Sequence, residues 1–206
     1  MHYPIEQNTD EWLQMRSGHL TGSSIAKVMA NDPKAFGEPA KRLAVDIALE
    51  QITWRPIGGG YSNADMLRGH EQEPIARQLY ESEYFYTVDA GGFFDNGFTG
   101  SSPDGLVDSD GLIEIKSVIA SQQYKRVKSG TYDSAYRWQL MFNLQQSGRD
   151  WIDYVSYCPD FPDGQQLFVQ RIHANAQAET FTKMNVRIAK FLKLVEQVKA
   201  DIQNAR

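Results

Sequence analysis

Apolar residues recur along this chain at helical spacing near both ends and at strand spacing in the middle, and that switch sorts the elements. Thr9 is followed by Asp10 and Glu11 and then by Trp12, Leu13 and Met15. This predicts a helix over 9–18 with Thr9 as N-cap, acids suited to its first turn and Gly18 as its stop. A second helix starts near Thr21-Gly22-Ser23-Ser24, carries Ile25, Val28 and Met29, and closes at Asn31-Asp32-Pro33. Leu43, Ile47 and Ile52 give one side of a third helix over 40–52. From Trp54 to Tyr61 a run with three glycines breaks all periodicity and predicts a mobile loop. A helix over 64–82 follows, bearing Glu71, Glu73, Ile75, Leu79 and Tyr80, with Pro74 marking a kink or a late start.

The centre turns to strands. Residues 84–88 and 92–99 are aromatic and β-branched and predict a hairpin. In 112–118, Ile113 and Ile115 share one strand face and Glu114 and Lys116 the other. A helix over 134–146 holds Trp138, Leu140, Met141 and Leu144, and two further strands, 151–157 and 166–172, are joined by a Pro/Asp/Gly turn. The last segment, 176–203, predicts a long helix whose seam runs Phe181, Met184, Ile188, Phe191, Val195, Val198 and Ile202. Such a seam serves a helix packed inside its own domain more often than a coiled coil. Helices at both ends and strands between them imply one α+β or α/β domain, 1–206, with a mixed central sheet flanked by helices.

Composition narrows the classes. With 206 residues, 41% hydrophobic and 23% charged, the chain is an ordinary globular one, and nothing in it approaches a membrane-spanning stretch. The first residues show no export signal, and the single cysteine, Cys158, excludes an internal disulfide and a Cys-rich zinc site. A reducing bacterial cytoplasm is the expected location. The net charge of −5 argues weakly against nucleic acid, but a carboxylate cluster neutralised by bound metal gives the same sum.

The motifs carry more. Ser101-Ser102-Pro103-Asp104-Gly105 precedes Ile113-Glu114-Ile115-Lys116, and Pro103 and Gly105 fix Asp104 at a turn that can aim its carboxylate at the neighbouring strand. Two carboxylates and an ammonium on that strand face form a hydrolytic set. Hard oxygen ligands hold Mg²⁺ or Mn²⁺, and a lysine can orient a metal-bound water. Asp-Gly turns and Glu-x-Lys strands are each common on solvated surfaces. Here, however, the pair sits in an apolar strand directly after the turn, with an acidic helix upstream.

In that context the sequence resembles the phage lambda exonuclease and YqaJ-type viral recombination nucleases of the PD-(D/E)xK superfamily. Five segments in the same order carry the resemblance: Trp12 to Ser23 around Arg16, Gly18 and Thr21; Gly69 to Arg77; Ser102 to Leu106; Glu114 to Lys116; and Ala135 to Gln139. It implies a restriction-endonuclease-like core. It further implies Asp104, Glu114 and Glu73 as ligands of Mg²⁺ (two ions, Mn²⁺ substituting), Lys116 as the residue positioning the water, and Gln139 beside them. Arg16, Ser23 and Ser102 match positions that bind a terminal 5′-phosphate in lambda-type enzymes, as suits a guanidinium fork with hydroxyl donors. Ser23 at a helix N-terminus would add the helix dipole. The activity implied is 5′→3′ exonuclease action on double-stranded DNA ends, leaving 3′ tails for phage or prophage recombination. A homotrimeric ring and a phage single-strand annealing protein as partner are implied with it. One departure stands out: the family helix often carries a second glutamine where this chain has Met141.

Other residues are weaker. Trp54 and Arg55 could contact DNA, and Lys125, Arg126 and Lys128 form the densest basic cluster, suited to a phosphate backbone. His2, His19, His70 and His173 show no metal or triad spacing. The rival readings are a restriction- or repair-type endonuclease and a non-catalytic DNA-binding subunit. A CRISPR-associated iron–sulfur exonuclease needs several cysteines and is excluded by the lone one.

Overall fold

The strands in the middle of the chain, joined by two short ones near its start, build two sheets against which the helices pack, and the central strands Gly111–Ser117 and Trp151–Tyr157 are buried on both faces. The computed structural model describes residues 1–57 and 64–205, with the side chains of residues 64–66 excepted. The helices are α1 (Asp10–Arg16), α2 (Ile25–Met29), α3 (Glu38–Thr53), α4 (Ala64–Tyr84), α5 (Ala120–Ser129), α6 (Arg137–Ser147) and α7 (Ala178–Asn204). The strands are β1 (His2–Tyr3), β2 (Leu20–Thr21), β3 (Val88–Ala90), β4 (Phe93–Asp95), β5 (Thr99–Ser101), β6 (Gly105–Val107), β7 (Gly111–Ser117), β8 (Trp151–Tyr157) and β9 (Leu167–His173). Among the described residues, β1-β4-β5-β2 form one sheet and β3-β6-β7-β8-β9 the other, in those orders. The fold is mixed α/β, as expected. None of the described helices is long and apolar enough to cross a membrane.

The β7–β8 pair is parallel, with Glu114 opposite Tyr154 and Lys116 opposite Ser156. A parallel pair needs a crossover, and α5 and α6 supply it. The strand period of two then divides β7 between two apolar clusters. Leu112 joins Leu140, Phe142, Ile152 and Tyr154 on the α6 side, while Ile113 and Ile115 meet Ala76 and Tyr80 of α4 on the other. Glu114 therefore enters the α6 side among apolar neighbours, and its charge must find partners there.

The seam of α7 is satisfied within the chain. Met184, Ile188, Phe191 and Val195 are buried, and the helix packs along α3. Pro74 does not shorten α4, which continues through it to Tyr84 and is tied to the sheet by Ala76 and Tyr80. The loop expected over 54–61 begins with Trp54 as the left-handed cap of α3 (φ 56°), and its residues 58–61 lie outside the described residues.

The expected hairpin over 84–88 and 92–99 does not form. Tyr84 ends α4, Phe85 adopts φ 57°, and β3 and β4 belong to different sheets. The chain crosses between the sheets at Gly91-Gly92. A Cβ at Gly91 would lie 1.7 Å from the Pro103 carbonyl oxygen, so the crossing packs directly against the turn that carries Asp104. The sequence pattern predicts no helix at α5, because its one buried residue is the polar Gln123 and its Tyr124 and Val127 stay exposed, so no apolar periodicity marks it.

Candidate active site

Asp104 is the last residue before β6, and its surroundings leave it little freedom. Gln7 Nε2 donates to the Pro103 carbonyl at 2.8 Å, and Arg77 Nη2 donates to the Asp104 carbonyl at 2.5 Å. The Asp104 Oδ2 atom accepts the Ile115 backbone N–H of β7 at 2.6 Å. Gly105 lets β6 slip between β3 and β7, because a Cβ there would lie 2.4 Å from Val88 Cγ1. The turn predicted from Pro103 and Gly105 thus aims its carboxylate at the strand that carries Glu114.

Glu114 is fully buried, and three donors converge on it. Lys116 Nζ and Gln139 Nε2 each reach Oε1 at 2.5 Å, and Asn143 Nδ2 reaches Oε2 at 2.8 Å. Burial, and next the negative charge of Asp104, still push its carboxyl up to about 7. Burial works against the Lys116 charge, yet Glu114 and Asp104 outweigh it and hold the ammonium above its ordinary range. Lys116 also lies over the Tyr136 ring, 5.3 Å from its centre.

Glu73 faces the same cleft from α4. Arg77, one turn on, donates to its Oε1 at 3.1 Å, and burial followed by Asp104 pushes its carboxyl up to about 7. Among the described residues no three His, Cys, Asp or Glu side chains are drawn into a ready-made metal cage. The donor chemistry nonetheless fits a hard divalent cation. Asp104 and Glu114 offer carboxylate oxygens on one cleft wall, the charge of Asp104 raising the proton affinity of Glu114, and Mg²⁺ is commonly held by one or two carboxylates with water filling the rest. Glu73 can join through a water, or directly on leaving Arg77.

The expected phosphate residues assemble beside this group. Arg16 Nη2 donates to Ser23 Oγ at 3.3 Å, and its guanidinium lies 3.9 Å above the Trp12 ring. Trp12 Nε1 donates to Ser102 Oγ at 3.0 Å, so one indole links the arginine to the second serine. Burial lowers Arg16 to about 10 against the pull of Glu50, the condition of a guanidinium short of anionic partners. Ser23 precedes a helix of only five residues and stands two positions before its first turn, so its hydroxyl and not a helix dipole is what it offers.

One cleft of about 790 Å³ is lined by Arg16, Ser23, Glu73, Ser102, Asp104, Glu114, Lys116 and Gln139 together. The weaker expectations fall elsewhere. Trp54 lines a separate pocket with Glu50 and Phe98. Arg55, Lys125 and Lys128 are exposed and are not among the described residues of the cleft wall. Arg126 departs from the basic cluster because it turns inward and pairs with Asp133. His19 pairs with Asp95 at 3.4 Å, and His2 meets the Gly91 carbonyl at 3.0 Å.

Four residues of the site were not singled out from sequence: Trp12 as a linker, Arg77, Tyr136 and Asn143. Asn143 was findable, since it stands four residues after Gln139 and must share its helix face. Met141, where the family often has glutamine, is core instead.

Comparison with known proteins supplies the family and the fold. The profile of the YqaJ-like viral recombinase domain matches residues 11–150. An alkaline exonuclease from Laribacter hongkongensis is similar at 30% identity and a TM-score of 0.78, the match covering 96% of this chain and 100% of that one. Its complex with dAMP gives 32% identity and a TM-score of 0.79 over the same shares. A phage-related exonuclease from Haemophilus somnus has the same fold at 15% identity and a TM-score of 0.70, covering 89% of this chain and 96% of that one. No protein of curated function matches the chain. A match over most of the chain, and a relative of 32% identity over nearly all of it, carry the assignment: the chain belongs to the YqaJ-like viral recombinase domain family.

Proposed function

We propose that this chain is a Mg²⁺-dependent exonuclease that degrades the 5′-ended strand of double-stranded DNA from its terminus, releasing mononucleotides. That it is a DNA nuclease follows from its family and its alkaline-exonuclease relative. The polarity, the double-stranded substrate and the metal are our reading. The observation that carries it is the joint lining of one cleft by the Arg16–Ser23–Ser102 group and the Asp104–Glu114–Lys116 group. The dAMP complex of the Laribacter enzyme is in keeping with a nucleotide monophosphate as product.

When bound, the metal supplies charge neutralisation at the phosphoryl oxygens and a lowered pKa for water. The chain supplies the rest. Arg16 with the two serine hydroxyls fixes a terminal phosphate and sets which phosphodiester reaches Asp104 and Glu114. Lys116, charged and held beside Glu114, orients the attacking water and offsets negative charge on the scissile phosphate. Gln139 keeps Glu114 in place. The same proposal extends to a homotrimeric ring, a phage annealing protein as partner and a role in recombination, the last in keeping with a viral recombinase domain.

The test is digestion of linear duplex DNA with 5′-phosphate or 5′-hydroxyl ends, with a closed circle alongside. Faster loss of the phosphorylated strand with the circle intact supports the reading. Cutting of the circle would make the protein an endonuclease. Binding without hydrolysis would make it a DNA-binding subunit.

A further inference from the structure

Asn143 is fully buried on α6, and only one end of its amide is satisfied. Its Nδ2 donates to Glu114 Oε2 at 2.8 Å, while its Oδ1, equally buried, has no hydrogen-bond partner among the described residues. A buried carbonyl left unpaired is costly, so the amide is oriented by Glu114 and not by its own needs. What faces Oδ1 is Gly22, in the loop that carries Ser23. A Cβ built on Gly22 would lie 2.3 Å from Asn143 Oδ1 and 3.3 Å from its Cγ. Asn143 and Gly22 both line the cleft, one beside Glu114 and the other beside Ser23.

We infer that Asn143 is a positioning residue that couples the phosphate-binding loop at Gly22 to the carboxylate of Glu114. The inference rests on the nuclease reading above. Any displacement of the loop toward α6 pushes on Oδ1. The amide can yield only by rotating, and rotation withdraws Nδ2 from Glu114. That leaves Lys116 and Gln139, both on Oε1, as the remaining donors, so Oε2 loses its fixed direction. A glycine at position 22 is what keeps the loop and the amide in contact without strain. The site therefore holds Glu114 in its working orientation only while the phosphate loop is in place. Occupancy of the end-phosphate pocket and alignment of the hydrolytic group become one event.

The test is a double-mutant cycle on the full-length protein, reading kcat, KM for 5′-phosphorylated duplex ends and the Mg²⁺ concentration giving half-maximal rate. Gly22→Ala alone should lower kcat about tenfold and raise the Mg²⁺ requirement, because the new methyl displaces the amide. Asn143→Ala should lower kcat comparably. In the Asn143→Ala background, Gly22→Ala should cost less than about twofold, since nothing remains for the methyl to push. Asn143→Ser serves as the background should the alanine variant fail to fold. Equal costs of Gly22→Ala in both backgrounds, or a change confined to KM, would overturn the coupling while leaving the nuclease standing. Absence of any Mg²⁺-dependent hydrolysis by the unsubstituted protein would instead remove the nuclease reading, and the inference with it.

Discussion

Replacing Glu114 by glutamine should make the metal-free protein more stable while abolishing its activity. The side chain is fully buried, and burial with Asp104 lifts its carboxyl from the ordinary 4.5 to about 7. The attraction of Lys116 is already contained in that value, because Lys116 acts to lower it. A rise of about 2.5 pH units corresponds to about 3 kcal/mol. The folded state holds the proton more tightly, so stability from this group is fully present below about pH 4.5. It declines as pH rises toward 7 and stays lost above 7. Glutamine is neutral throughout, and the Asn143 amide can turn over to give its unpaired Oδ1 to the new N–H. Urea unfolding in EDTA should therefore show Glu114→Gln more stable by about 3 kcal/mol at pH 8 and equal to the parent near pH 4.5. In a chain of this length that is a rise in Tm of roughly 6–12 °C at the higher pH. A less stable variant at pH 8, or a difference that does not change with pH, would refute the reasoning.

Three other substitutions probe the remaining parts. Lys116→Ala should cut hydrolysis by about 10²–10⁴-fold, measured as mononucleotide release, with an unchanged far-ultraviolet dichroism spectrum. Arg16→Ala should lower kcat/KM on 5′-phosphorylated ends about tenfold or more while leaving 5′-hydroxyl ends nearly unaffected; equal losses on both would remove the phosphate clamp. Asp153, buried, accepts from Tyr80 Oη at 2.7 Å and from Arg171 Nε at 2.8 Å, so Asp153→Ala strands a guanidinium and a phenol. It should cost about 3–5 kcal/mol in urea unfolding and loosen α4, and a loss below about 1 kcal/mol would show the network to be dispensable.

Much of this was legible before the fold was known, for reasons that differ by element. β7 could be read because its period of two puts Glu114 and Lys116 on one face whatever lies beyond. Asp104 could be read because Pro103 and Gly105 restrict the turn. The failures share a cause as well. Residues 84–99 look like a hairpin locally, but Phe85 and the glycine pair redirect the chain between sheets, so β3 pairs with β6 while β4 pairs with β1 and with the following β5. Arg126 counted as a phosphate contact until Asp133 claimed it, a pairing that sequence spacing of seven residues does not announce. Trp12 reads as an apolar helix position, yet its indole N–H donates to Ser102 and its ring carries the Arg16 guanidinium. Asn143 is hard to read by itself because a lone asparagine in an apolar helix carries no signature, while Met141, two positions earlier, turns to the core.

The most direct test of the central claim is a crystal grown with Mn²⁺ and measured for anomalous scattering. The account predicts a peak within about 2.5 Å of the carboxylates of both Asp104 and Glu114, lost in Glu114→Gln. A protein that digests DNA ends while its Mn²⁺ peak lies away from these two residues would contradict it.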